Sequence, residues 1–379
     1  AGAQPEHPVG VDGLGDLGEG VEPLGRGHEG LLHQKTELVP ERIWSFEQEQ
    51  TIGPTSCTIR SVAVRLSDGA VLLYNPVAPT KEFFGQVDAI GGEVKYIVCG
   101  TYAIEHFTFM SDAHKRYPSA QVFVTPKKKT IPIDLPLSLL GVPVDGVLGE
   151  GDRLEDGSRA PWADDLDCAV LAYDNPEAGA VPIVEAALYD KVSKSLIITD
   201  AIEKVPGDAP DIIRPELLLT LAPDVPGVDP SPAPDTELNR RKGWAKMSLL
   251  VQFFQPDKSK PGSTGNAFEL EWSDGYLDDF AAISDTAFVA PILRYLVYSK
   301  NPAAVVGWVD RIVDRYPFER VIPAHYTAPI DITPQEFSAC FDFLRAGKEG
   351  FPLAEKSTKL LRDGDKFLSE NGQPDLPLA

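Results

Sequence analysis

Two blocks of short apolar runs, divided by a proline-rich stretch, constrain this chain more than any other feature. Order begins at Ile43-Trp-Ser-Phe46. Thr58-Ile-Arg-Ser-Val-Ala-Val-Arg-Leu66 alternates apolar and polar residues, Ser67-Asp-Gly69 supplies a turn and Ala70-Val-Leu-Leu-Tyr74 returns, which predicts a β-hairpin. Lys81 to Ile90 has helical spacing, with Phe84, Val87 and Ile90 on one face. Val94-Lys-Tyr-Ile-Val-Cys99 reads as a buried strand, residues 102–117 as a helix stopped by Pro118, and Gln121-Val-Phe-Val-Thr125 as the next strand. The first block is thus β-β-β-α-β-α-β. After Ile131-Pro-Ile-Asp-Leu-Pro136 the second block opens with a strand at Asp167–Tyr173. A hairpin follows from Ile183–Tyr189 and Ser195–Thr199, then helical spacing over 239–255 and 276–316. A last strand at Arg320–Pro323 and a helix over Thr333–Leu344 close it. Two β-rich halves, each carrying helices, predict a layered α/β sandwich.

The ends differ in kind. The first 30 residues hold 9 of the 32 glycines and no aromatic residue, so they cannot bury enough apolar surface to offset the entropy of ordering. Residues 1–35 are therefore expected to form a glycine-rich extended arm, and 348–379 a polar tail. The domain proper is expected at 36–347, with a Pro/Asp-rich and helical insertion at about 206–300. With 35 basic and 57 acidic residues the net charge is −22, which repels phosphate backbones and excludes a basic nucleic-acid groove. No apolar run reaches the ~18 residues of a spanning helix. Cys57, Cys99, Cys168 and Cys340 lie far apart without CxxC spacing, and read as free thiols of a reducing compartment.

Six histidines are present. His7, His28 and His33 fall in the arm and His114 on a polar helix face, where solvation is the simpler role. His106 and His325 differ. Each lies just past the end of an apolar strand, and so does Asp200; Glu105 precedes His106. Loops at such strand ends converge over a sheet edge, where sites collect. Two imidazoles and two carboxylates suit Zn, Fe or Mn with a position left for water. The same four groups can instead hydrogen-bond one another, and spacing alone does not decide between the two. No GxSxG elbow, GxGxxG or GxxxxGK loop is present. The aromatic-rich runs Ser248–Phe254 and Phe288–Tyr298 read first as core of the helical layer, and otherwise as a docking face.

The run Val94-Lys-Tyr-Ile-Val-Cys-Gly-Thr-Tyr-Ala-Ile-Glu-His106 resembles the first metal-binding segment of the metallo-β-lactamase superfamily. There a strand leads into His-x-His-x-Asp-His. The corresponding positions here are Thr101, Ala103, Glu105 and His106. Asp200 resembles the bridging Asp and His325, in Ile322-Pro-Ala-His325, the final His; the middle His has no counterpart near Val181-Pro-Ile183. More specifically, the chain resembles an uncharacterised metallo-β-lactamase-like family of plants, algae and cyanobacteria. Tyr74-Asn-Pro-Val-Ala-Pro79, Pro161-Trp-Ala-Asp164, Val184-Glu-Ala-Ala187 and Thr199-Asp-Ala201 are among the segments that match in order, over roughly residues 40–345.

The resemblance implies a four-layer αββα sandwich. It implies one metal site, at Glu105, His106, Asp200 and His325, since the three histidines of the other are missing. It also implies a plastid protein, soluble or peripheral to the thylakoid, with an amino terminus left by transit-peptide removal. The missing histidines favour a non-catalytic structural or assembly role, on a photosynthetic complex for example. The alternative is a mononuclear metal-dependent hydrolase using the four retained residues. A substrate is not specified by either.

Overall fold

The computed structural model describes residues 33–52, 55–127, 136–174, 182–224, 232–252, 258–259, 270–272, 275–345, 358–359, 361–363 and 366. Residues 1–32 of the expected arm, most of the tail and Phe253–Phe254 lie outside the described residues.

The first block forms a seven-stranded sheet. Strands β1 (His33–Val39), β2 (Ile43–Ile52), β3 (Thr55–Arg65) and β4 (Val71–Tyr74) pair antiparallel in sequence order. Parallel pairs then add β5 (Val94–Cys99), β6 (Gln121–Val124) and β7 (Gly146–Val147). The predicted hairpin is β3–β4, with Ala63 opposite Leu73 and Val64 opposite Leu72. Helix α1 (Lys81–Asp88) starts where the Thr80 side chain accepts the Phe83 N–H, a regular N-cap. The helix expected over 102–117 is broken into a single turn, α2 (Ile104–Phe107), and α3 (Met110–Arg116).

Strand β1 was not expected. Its polar sequence, HQKTELV, follows a glycine-rich run and sits at a sheet edge, where pairing comes from backbone bonds rather than an apolar face. Order therefore begins inside the expected arm. His33 is not solvated: its Nε2 lies 2.7 Å from the Thr80 hydroxyl and 2.9 Å from Gln48 Nε2.

The second block forms a five-stranded sheet. Its strands are β8 (Leu166–Tyr173), β9 (Ile183–Asp190), β10 (Ser195–Ile197), β13 (Arg320–Ile322) and β14 (Ile330–Asp331). A two-stranded ribbon, β11 (Lys258–Ser259) and β12 (Leu270–Glu271), stands apart. Strands β10 and β13 are neighbours and parallel, with Ile197 opposite Ile322. Between them the chain inserts α4 (Pro215–Leu221), α5 (Glu237–Val251), α6 (Tyr276–Ile283), a π-helical turn at Leu293–Val297 and α7 (Pro302–Arg315). Helices α8 (Pro334–Ala339) and α9 (Asp342–Arg345) follow.

The two-residue period of the strands sorts side chains into layers. Val62, Val64, Leu72 and Tyr74 meet Cys168, Ala186, Leu188 and Ile322 between the sheets. Ala63, Leu73 and Ile97 pack outward on Phe83 and Val87 of α1 and on Met110 of α3. Leu171, Ala187 and Val321 pack outward on Val305, Trp308 and Ile312 of α7 and on Phe337 of α8. These are the four layers, αββα, that the resemblance implied.

The insertion adds a further cluster. Leu218 of α4, Trp244 and Met247 of α5 and Phe280 of α6 pack with Cys57 of β3 and with Tyr326. Helices α4 and α5 approach so closely that a Cβ on Gly243 would lie 1.9 Å from the Leu218 carbonyl oxygen, which only glycine allows. Of the aromatic runs, Leu249 and Phe288 enter this cluster, while Val289 and Tyr298 enter the core under the second sheet. Within the described residues both runs are packing.

Candidate metal centre

Three strand ends build the site. His106 lies on α2, seven residues past the end of β5. Asp200 and His325 lie past β10 and β13, each three residues beyond the facing pair Ile197 and Ile322. Parallel register therefore sets them side by side, and the Ala324 N–H donating to the Thr199 carbonyl at 3.0 Å keeps them so.

The three side chains converge on one point. His325 Nε2 is 3.2 Å from His106 Nε2 and 3.3 Å from Asp200 Oδ1, and His106 Nε2 is 3.4 Å from the same Oδ1. These are the one group among the described residues able to hold an ion with three His, Cys, Asp or Glu atoms. Three tetrahedral ligands at about 2.0–2.1 Å from a zinc ion stand about 3.3–3.4 Å from one another. The triangle has that size, and its two imidazoles and one carboxylate are donors that zinc, iron and manganese all accept. The cluster can thus coordinate a single metal ion.

Glu105 contributes no atom to the cluster. It is adjacent to His106 on a one-turn helix, and adjacent helical residues point about 100° apart, so they do not share a face. His106 is 1% exposed and turns inward, which leaves Glu105 half-buried outside the triangle.

The surrounding shell fixes the ligands. Facing the Thr58 carbonyl oxygen at 2.7 Å, the His325 Nδ1 acts as donor and orients the ring with Nε2, the nitrogen that would hold a metal, toward the triangle. The Tyr326 N–H donates to the Thr58 hydroxyl at 2.8 Å. Arg60, on β3, donates to the carbonyls of Pro323 and Tyr326, bracketing His325, and to Glu47 Oε1 at 2.7 Å. Tyr74 Oη donates to the Ala186 carbonyl at 2.7 Å and lies 2.9 Å from the Thr199 hydroxyl. Burial works to raise the Asp200 carboxyl, but His106 and His325 beside it hold it well below the usual carboxylate range.

Two buried acids near the site were not singled out from sequence. Glu185 Oε1 accepts three successive backbone N–H groups, from Thr199, Asp200 and Ala201. Burial, with Asp200 nearby, pushes its carboxyl up to about 8. Glu203 is buried with Oε1 unbonded, and burial pushes it up to about 7 against the pull of His325. The signal for Glu185 was present: it is a charge within the apolar run Ile183-Val-Glu-Ala-Ala-Leu188, where strand burial demands a partner.

No curated protein matches the chain in sequence. Among solved structures it is similar to a metallo-β-lactamase from Pontibacter korlensis, at 12% identity and TM-score 0.38 over 82% of this chain and 99% of that one. It is also similar to rubredoxin oxygen:oxidoreductase from the anaerobe Desulfovibrio gigas, at 9% identity and TM-score 0.43 over 82% of this chain and 60% of that one. A flavodiiron protein from Giardia intestinalis aligns at 9% identity and TM-score 0.40, over 83% and 60% of the two chains. A family model matches residues 40–343, most of the chain and every residue of the triangle, and the chain belongs to that family, described as a domain of unknown function (DUF4336).

Proposed function

We propose that this chain is a mononuclear metal-dependent hydrolase, with one Zn, Fe or Mn ion held by His106, Asp200 and His325. The observation that carries the reading is the near-equilateral triangle of their three ligand atoms, 3.2–3.4 Å on a side. A bound ion would supply Lewis acidity toward a carbonyl or phosphoryl oxygen and toward water, and three protein ligands leave it a position for them. The protein's own groups do the rest. The Thr58 carbonyl fixes the His325 tautomer, and Arg60 holds the loop carrying that histidine. Glu203 is suited to hold a proton at its unbonded Oε1 near neutral pH. Trp244 packs edge-on against Tyr326, the residue after His325, at 6.1 Å between ring centroids.

This geometry favours the hydrolase over the non-catalytic plastid assembly role expected from the missing histidines. Three ligand atoms from three separate loops, spaced as tetrahedral coordination requires, support that preference. Among the described residues no helix is long and apolar enough to cross a membrane.

Elemental analysis of the purified chain, supplied in turn with Zn, Fe and Mn, tests the reading. About one ion per chain is expected in wild type and none in His106→Ala. Metal-loaded wild type is expected to turn over at least one of a set of ester, thioester, amide and phosphoester substrates, with His106→Ala inactive. Wild type that holds no stoichiometric metal would falsify the proposal.

A further inference from the structure

We infer that Glu185, held by Tyr298, is a positioning residue that aims the Asp200 carboxylate at the metal. The inference rests on the metal reading above and adds the groups that set how well the site binds.

Glu185 lies on β9 and makes no direct approach to the triangle. Its Oε1 accepts the N–H groups of Thr199, Asp200 and Ala201 at 3.0, 3.1 and 3.0 Å. Three successive N–H groups turned toward one oxygen form an anion-binding concavity. Here Glu185 Oε1 fills that concavity and fixes the backbone on both sides of Asp200, and with it the direction of Oδ1. Burial spares these three bonds competition from water.

The other oxygen is also held. Tyr298 Oη donates to Glu185 Oε2 at 3.2 Å. Tyr298 follows directly on the π-helical turn Leu293–Val297, whose last carbonyl accepts the Tyr173 hydroxyl at 2.9 Å. Turns of this type widen the helix by one residue and recur at functional sites. This one carries Tyr298 to the acid from the insertion.

The neighbours of Glu185 reach the other ligand loop. The Ala186 N–H donates to the Gly100 carbonyl at 2.8 Å, and the Thr101 hydroxyl donates to the Val184 carbonyl at 3.0 Å. Residues 184–186 thus fix the approach to His106 through backbone bonds and the approach to Asp200 through the Glu185 carboxylate.

The test is metal affinity and geometry in the full chain. Zn2+ is titrated in competition with a chromophoric chelator, and Co2+ is added to record ligand-field absorption, for wild type, Glu185→Ala, Glu185→Gln and Tyr298→Phe. Glu185→Ala is expected to bind Zn2+ about 10–100-fold more weakly, the usual cost of losing a group that orients a metal ligand, and to alter the Co2+ spectrum. Glu185→Gln keeps an oxygen for the three N–H groups and is expected to recover most of the loss. Tyr298→Phe is expected to show a smaller loss of the same kind, with its metal-free melting temperature recorded alongside. Should Glu185→Ala not fold, Glu185→Gln and Tyr298→Phe decide. Affinities and Co2+ spectra equal to wild type in the folded variants overturn the inference and leave the proposed function standing. Wild type that takes up neither Zn2+ nor Co2+ overturns both.

Discussion

Arg60 is 1% exposed and joins the two sheets next to the site. Replacing it by methionine keeps the apolar stem and removes every donor. The carbonyls of Pro323 and Tyr326 are then buried without partners, at about 2 kcal/mol each. Glu47, whose side chain is 12% exposed, is left with its charge unmatched, for about 1 kcal/mol more once its partial hydration is allowed for. Arg60→Met is therefore expected to cost about 4–5 kcal/mol, read from urea unfolding by linear extrapolation. Glu47→Gln alone should cost about 1 kcal/mol, because Arg60 keeps both carbonyl bonds. The double variant should be no less stable than Arg60→Met, since the stranded charge is gone. A loss below about 1 kcal/mol for Arg60→Met, or costs that simply add in the double variant, would refute the reasoning.

Two further outcomes follow from the packing and the charges. A Cβ on Gly100 would fall 1.7 Å from Tyr74 Oη, so Gly100→Ala must displace Tyr74 from Ala186 and Thr199; a loss of about 2–4 kcal/mol is expected in chemical unfolding, and wild-type stability would contradict the geometry. Burial works to raise the Asp224 carboxyl, but Lys242 and Lys246 hold it below its ordinary value of 3.8. The stability it lends is complete above that pH and fades as acid titrates the folded state. The gap between wild type and Asp224→Asn should therefore narrow below pH 3.8, and a gap independent of pH in acid unfolding would count against the pairing.

Much of the fold was legible because the strands carry their own patterns. β5 spans the predicted Val94–Cys99, and β8, β9 and β10 fall within a residue or two of their predicted bounds. The edge strand β1 was not, since its stability comes from pairing rather than from an apolar face. At the site, three of four candidates come together because parallel register carries Asp200 and His325 to the same level, a relation read from strand ends alone. Glu105 fails because helical geometry, absent from a strand-end argument, turns neighbours apart. Glu185 and Arg60 were missed for a different reason. Their partners are carbonyls and N–H groups on remote loops, which side-chain spacing cannot report.

The triangle has an owner on each side of the sandwich. His106 belongs to the first sheet, while Asp200 and His325 belong to the second. A metal tolerates ligand distances only within about 0.2 Å. With an ion held there, the centre would therefore work as a gauge block between the sheets. A slip of one sheet over the other by an ångström would open the triangle, with every residue of the site still present and intact. Substitutions in the buried layer between the sheets, such as at Val62, Leu188 or Ile322, would thus reach the triangle by changing the gap alone.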